Sequence, residues 1–374
     1  MGNIISYVKQ AKENFTQKPF RAVDSLVLSQ LSYLNFARLV PDIEQYVPNV
    51  RLGDLKDSVW VETLFSKMKN PKEDKQLFYA VTHSPRYRDI ELNYYTAQTE
   101  FAAEKQFCAI TYFLGDGTVY VAYRGTDSTF VGWKEDFNMS FMTSVPAQRE
   151  GVYYLRQIAD KCGLPLRVGG HSKGGNIAVY SAIHCGRQLQ NRIVGVFNHD
   201  GPGFQENIFH TEEYLNLRER ISTTVPQESL VGMLMYHTEN YRVVKSSRFW
   251  IMQHDPFSWE IKDGNFIFVK DITNGAECID RTLNQWLCSL SDERRELFAD
   301  TMYRVLQATG VDSFQKFSFR TLSRIDEIAE TLLDLDSETQ KYLLQSFRGL
   351  LLLCTKNFLK LPFQWIFEEE KKNS

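Results

Sequence analysis

The chain has 374 residues, 43% hydrophobic, 24% charged and 13% aromatic, which suits a globular protein with a sizeable core and excludes disordered, collagen-like and low-complexity classes. Lys and Arg number 43 against 46 Asp and Glu, a net charge of −3 with no long block of one sign, so bulk electrostatics argues against a nucleic-acid partner. Cys108, Cys162, Cys185, Cys278, Cys288 and Cys354 form no C-x-x-C pair; they read as buried thiols of a reducing compartment rather than a metal or redox site. The first residues lack a basic stretch leading into an apolar one, so the expected location is cytoplasmic.

In chain order, residues 21–70 carry apolar positions at helical spacing. Val23, Leu26, Val27, Leu31 and Leu34 make one segment, and Trp60, Leu64 and Met68 a second after Asp57, so a helical lead-in is expected. Residues 107–113 (FCAITYF) and 118–123 (TVYVAY) are rich in β-formers and flank Gly115, Asp116 and Gly117, which predicts a hairpin. After Pro146 a helix sets Leu155, Ile158, Ala159 and Cys162 on one side; a short strand at 166–168, a glycine-rich turn and another helix follow. Helix, strand, helix is the grammar of a parallel α/β sheet. Residues 193–197 and 220–225 predict successive parallel strands of that sheet, and 248–252 and 266–269 predict strands near its end. Beyond 278 the spacing is helical again through Leu283, Trp286, Leu287, Leu290, Leu297, Met302, Val305 and Leu306. A soft boundary near 277 divides an α/β unit, residues 1–277, from a helical region, 278–374, packed on it. The most apolar stretch, 350–367, is broken by Lys356, Lys360 and Pro362 and falls short of the about 20 apolar residues of a spanning helix. It reads as a packed terminal helix, with peripheral contact to a membrane surface as the alternative.

Gly170-His171-Ser172-Lys173-Gly174 satisfies G-x-S-x-G between a predicted strand and a predicted helix, the context in which this motif is a nucleophile elbow. So sharp a turn strains the backbone at Ser172 and brings strand and helix together, which is why Gly170 and Gly174 are nearly free of side chain. The Ser172 hydroxyl is then expected at the carboxyl end of the sheet, over a helix N-terminus whose free N–H groups favour developing negative charge, and the Lys173 N–H becomes an oxyanion donor. The fold expected is an α/β-hydrolase. Tyr123-Arg124-Gly125-Thr126, then Trp133 and Asp136, then Gly-His-Ser-x-Gly, resembles the class 3 (fungal-type) lipases. That resemblance implies Thr126 as the second oxyanion donor, by its main chain and hydroxyl.

A serine hydroxyl needs a base, and the base an orienting acid. In α/β-hydrolases the base lies far downstream of the nucleophile, and of His199, His210, His237 and His254 only His254 follows all the core strands, in the polar loop 253–256 (QHDP). Residues 24–33 (DSLVLSQLSY), RGTD, GHSKGGN, 200–204 (DGPGF), 225–232 (VPQESLVG) and 253–259 (QHDPFSW) together resemble the Mbeg1-like family, bacterial α/β-hydrolase-like proteins described as a domain of unknown function, over roughly residues 15–290. The resemblance implies a hydrolase fold and no particular substrate. The class 3 lipase pattern sets the acid two residues before a Val-Pro pair, where this chain has Thr223. Asp200, at the end of strand 193–198, is the first alternative, Glu228 past the next strand the second, and Asp255 the third. Lys173 is expected to be solvated and His171 structural. The expectation is a serine esterase or lipase-like hydrolase acting on an ester or lipid-like acyl substrate through an acyl-enzyme on Ser172, without cofactor or metal. A non-catalytic binding or scaffolding protein on the same fold, and an acyltransferase, are the alternatives.

Overall fold

The computed structural model describes residues 2–45, 47–66, 71–100, 102–126, 130–139, 142, 144–236, 241–308 and 335–358. At its centre β4 (Val119–Tyr123), β5 (Leu166–His171), β6 (Ile193–His199), β7 (Ile221–Pro226) and β8 (Arg242–Val244) run parallel in that spatial order. Antiparallel strands flank them: β1 (Val50–Arg51), β2 (Glu91–Glu100) and β3 (Lys105–Phe113) on one side, a short strand Phe268–Val269 beyond β8 on the other. A separate two-residue pair, Ile261–Lys262 with Asn265–Phe266, lies outside this nine-stranded sheet. The β3–β4 hairpin turns at Gly115 and Gly117, both at φ near +80°, where only glycine is unstrained.

Alternation within the strands builds the two cores. Cys108, Ile110 and Tyr112 of β3 face α1 (Ile4–Gln10), α2 (Ala22–Leu31) and α3 (Pro71–His83). Phe107 and Ala109 face α5 (Pro146–Lys161) and α6 (Lys173–His184) on the opposite side, with Tyr154, Leu155, Ile158 and Ala159 as the buried side of α5. Between these come α4 (Phe130–Asn138) after β4 and the single turns α7 (Arg187–Gln190) and α8 (Glu212–Leu215).

Residues 24–33 stitch α2 to the sheet. Buried Asp24 accepts from Arg86 and from the hydroxyls of Tyr7 and Tyr87 at 2.5–2.8 Å. Ser25 bonds Tyr120 and His199 at 2.8 and 2.9 Å, Ser29 bonds Tyr120 at 2.8 Å, and Tyr33 reaches His171 at 3.1 Å.

Several elements differ from expectation. The segment after Asp57 forms the 3-10 turn Val61–Phe65 rather than an α-helix, while Met68 lies outside the described residues. α3 and β2 follow without a clean apolar period to announce them; β2 carries a bulge between Asn93 and Thr96, with Tyr94 at φ +60°. Residues 248–252 are no strand: Trp250 sits at φ +52° and starts the 3-10 turn Trp250–His254, so the sheet closes through β8 and Phe268–Val269 instead. Cys288 is exposed, not buried.

The boundary near 277 falls inside α9 (Asn274–Cys288), which is followed by α10 (Asp292–Ala308) and α11 (Ser337–Phe358). α10 packs on α4 through Phe298 on Phe137 and the Asp300–Lys134 ion pair at 2.7 Å, and α11 packs on α9, where the Trp286 indole donates to the Ser346 carbonyl at 3.0 Å. Within 350–358, Leu351 and Leu352 are exposed and Leu353 partly buried; 359–367 lies outside the described residues. Among the described residues no helix is long and apolar enough to cross a membrane.

Candidate active site

Ser172 joins β5 to α6 at φ +59°, ψ −135°, a conformation that costs a non-glycine residue about 1–2 kcal/mol and is held by its N–H donating to the His199 carbonyl at 2.9 Å. Close approach makes the turn possible. A Cβ on Gly170 would lie 2.2 Å from the Gly174 carbonyl carbon, and one on Gly174 2.1 Å from the Tyr123 carbonyl oxygen. The Lys173 N–H opens α6 and has no acceptor within its own helix. The side chain of Lys173, expected in solvent, is instead 1% exposed, its ammonium donating at 2.9 Å to Glu135 of α4, itself fully buried, and at 3.0 Å to the Gln106 carbonyl. Burial of the charge is tolerable because Glu135 answers it and also accepts the Gln106 and Ala147 N–H groups at 3.0 and 2.8 Å.

The Ser172 hydroxyl lies 3.0 Å from His254 Nε2, and His254 Nδ1 lies 2.6 Å from Asp200 Oδ2. Of the three carboxylates weighed from sequence, this geometry joins Asp200 to the imidazole. Asp200 directly follows β6, the strand beside β5, sits at φ +54° and is fully buried; its other oxygen accepts from the Ser229 hydroxyl. Gly232 makes room for it, since a Cβ there would stand 2.2 Å from Asp200 Oδ1. Thr223, where the class 3 pattern has its acid, is buried one strand farther out, in β7. Glu228 and Asp255 are engaged elsewhere: Glu228 accepts from the Trp250 N–H and the Gln253 amide, and Asp255 pairs with Arg248 and caps the turn at the Phe257 N–H.

His171 holds the base in place. Its Nε2–H donates to the His254 carbonyl at 2.8 Å, which leaves Nδ1 to accept from the Tyr33 hydroxyl at 3.1 Å, and the two imidazoles lie 4.6 Å apart. The turn after β4 abuts the elbow: a Cβ on Gly125 would come within 2.5 Å of the His171 carbonyl and 3.0 Å of Ser172 Cβ. Thr126 follows it into the same cavity as Ser172, with its hydroxyl donating to Asp136 at 2.6 and 2.7 Å. Asp127 of the RGTD turn lies outside the described residues, as does the Trp133 side chain.

Ser172, His171, His254, Arg124 and Thr126 open on a cavity of about 520 Å3 whose far wall includes Gln30, Tyr33, Asp74, Tyr95 and Ala97, and whose rim includes Ile251 and Met252. Among the described residues none beyond 256 lines it, and the described C-terminal helices pack on α4 and on one another.

Sequence reasoning missed Tyr33, Glu135, Ser229 and the role of Asn176, whose amide donates to the Pro202 and Gly203 carbonyls at 3.0 and 2.9 Å and so shapes the chain leaving Asp200. Tyr33, Asn176 and Ser229 lay within the family-like motifs, which was the available signal; Glu135 carried none.

A hydroxyl, an imidazole and a buried carboxylate in one hydrogen-bonded line can move a proton off the hydroxyl. Among solved structures the chain is similar to M37 lipase, at 16% identity over 57% of this chain and 70% of that one with a TM-score of 0.38. It is similar also to Rhizomucor miehei lipase in a propeptide complex, at 14% identity over 61% and 68% with a TM-score of 0.39. No curated protein matches. The family model for Mbeg1-like proteins matches residues 81–304, more than half of the chain, and the protein belongs to the Mbeg1-like family.

Proposed function

We propose that the protein is a serine hydrolase of carboxylic esters with an apolar acyl part. The observation that carries this reading is the continuous Ser172–His254–Asp200 hydrogen-bonded line, at 3.0 and 2.6 Å, opening on a cavity. Ser172 Oγ attacks the ester carbonyl as its proton passes to His254 Nε2, and the oxygen anion of the tetrahedral intermediate accepts from the Lys173 and Thr126 N–H groups. Its collapse expels the alcohol, which takes the proton back from His254. Water then repeats the sequence on the acyl-enzyme, restoring Ser172. Asp200 stays ionised throughout, holding the ring tautomer and stabilising the imidazolium. The aromatic and aliphatic part of the wall, Tyr33, Tyr95, Ala97, Ile251 and Met252, suits an acyl chain better than a charged one.

A fluorophosphonate probe tests the nucleophile. It is expected to label the folded wild type and neither Ser172→Ala nor heat-unfolded protein; absence of label on folded wild type overturns the reading. With an active ester in hand, His254→Ala and Asp200→Asn are each expected to lower kcat by about 10^4. An added alcohol that diverts the acyl group from water identifies an acyltransferase on the same residues.

A further inference from the structure

We propose that the two apolar lips of the Ser172 cavity dock the protein onto a phospholipid surface, from which its ester substrate enters. Delivery of substrate rests on the reading of Ser172 as nucleophile; docking itself does not.

The first lip is Phe249, Trp250, Ile251 and Met252, exposed by 69%, 57%, 51% and 46%, the longest consecutive run of exposed large apolar residues among those described. Single exposed apolar side chains are ordinary, whereas a contiguous patch marks a surface that meets something apolar. This run is held outward. The Glu228 carboxylate takes the Trp250 N–H and the Gln253 amide, Gln253 Oε1 takes the Glu228 N–H at 3.0 Å, and Arg248 ties the same loop to Asp255 and to Glu73 of α3. The φ of +52° at Trp250 is a strained conformation offset by these bonds, which hold the turn in place.

The second lip is Val59 and Trp60, exposed by 89% and 45%, just before the 3-10 turn Val61–Phe65; Ser66, which follows that turn, lines the same cavity as Ile251 and Met252. The first turns of α3 brace both lips, Glu73 to Arg248 and Lys75 to Glu62.

A lipid surface fits better than a folded partner for two reasons. The apolar lips continue into the cavity through Ile251 and Met252, so a bilayer seated on them joins its acyl phase to the pocket, whereas a protein seated there would close it. The charges also suit headgroups: Glu62 pairs with Lys75, Glu73 and Asp255 share Arg248, and Arg38, stacked over Trp60 at 4.6 Å, supplies the further positive charge that balances the third carboxylate. Tryptophan beside cations at the edge of an apolar patch is the composition of an interfacial anchor.

The test uses full-length protein carrying Ser172→Ala, so that no turnover disturbs binding, and vesicles of equimolar phosphatidylcholine and phosphatidylglycerol. Co-sedimentation is expected for this chain, and the further change Phe249→Ser/Trp250→Asn is expected to weaken partitioning at least about tenfold, as removal of two buried apolar side chains requires. Trp60→Ser, on the other lip, should weaken it as well. Equal partitioning with and without the lip substitutions, or no partitioning of the parent chain, overturns the proposal. So does a parent chain that dimerises in solution through these residues and ignores vesicles. In the otherwise wild-type chain, Phe249→Ser/Trp250→Asn is expected to leave hydrolysis of a water-soluble short-chain ester unchanged while lowering that of the same ester presented in vesicles. If wild type binds vesicles but hydrolyses neither form, the hydrolase reading fails and the docking stands.

Discussion

Lys173 lies in an environment far from the usual one for its type. An ammonium normally keeps its water, yet here it lies in the interior beside the elbow and depends on Glu135 for its charge balance. Removing one partner leaves the other charge buried alone. Glu135→Leu is therefore expected to destabilise the protein by about 3–5 kcal/mol in urea unfolding, and Lys173→Met/Glu135→Leu to recover part of that loss. Recovery cannot be complete, because the Gln106 and Ala147 N–H groups lose their acceptor in both variants. A double variant as unstable as the single one would mean that the two side chains act separately. The same pair connects α4, which also anchors Thr126 through Asp136, to the first residue of α6. Both proposed oxyanion donors thus hang on one helix.

At the scale of elements, the site is a meeting of strand ends. β4, β5 and β6 are parallel neighbours, so their carboxyl ends deliver Gly125-Thr126, Ser172 and Asp200 side by side, and only the imidazole must come from a distant loop. The contact between the first two ends is backbone on backbone, which neither side can yield. Gly125→Ala would push a methyl against the His171 carbonyl and the Tyr33 hydroxyl. It is expected to cost about 1–3 kcal/mol in thermal unfolding and, by displacing the Thr126 N–H from the oxyanion, to lower ester turnover at least about tenfold. Wild-type turnover in Gly125→Ala would remove Thr126 from the mechanism.

At the scale of the molecule, the N-terminal helices pack into the core of the α/β sheet and are no appendage. α2 closes one face of the sheet, and His199, just before Asp200, is the buried junction: its ring bonds Ser25 and no side chain carries charge to it, so desolvation lowers its pKa from 6.5 to about 3. The folded state keeps this ring neutral where the unfolded chain takes up a proton. Stability from this group is therefore complete above pH 6.5 and lost progressively as pH falls toward 3, by about 2 kcal/mol at pH 5. Urea unfolding at pH 7 and pH 5 should show that loss in wild type and a smaller one in His199→Gln.

The elbow was legible in the chain because its chemistry is local: a serine between two glycines, a strand before and a helix after, are all set within a dozen residues. The hairpin and the parallel strands were legible for the same reason, since short runs of β-formers and apolar residues bounded by glycine turns are short-range signals. The acid was not, for Asp200, Glu228 and Asp255 each close a strand or adjoin the base, and nothing in their neighbours tells which carboxylate the packing turns inward. Nor could the sequence announce β2, whose bulge breaks its alternation, or the outward turn at 249–252, whose apolar residues imitate a strand. What the amino-acid order determined by itself was the sharp bend and the type of side chain at its tip. Which imidazole and which carboxylate come to stand beside that tip, and that a lysine next to it is buried, were decided by contacts between residues 38 to 82 positions apart, through loop closures that no local pattern encodes.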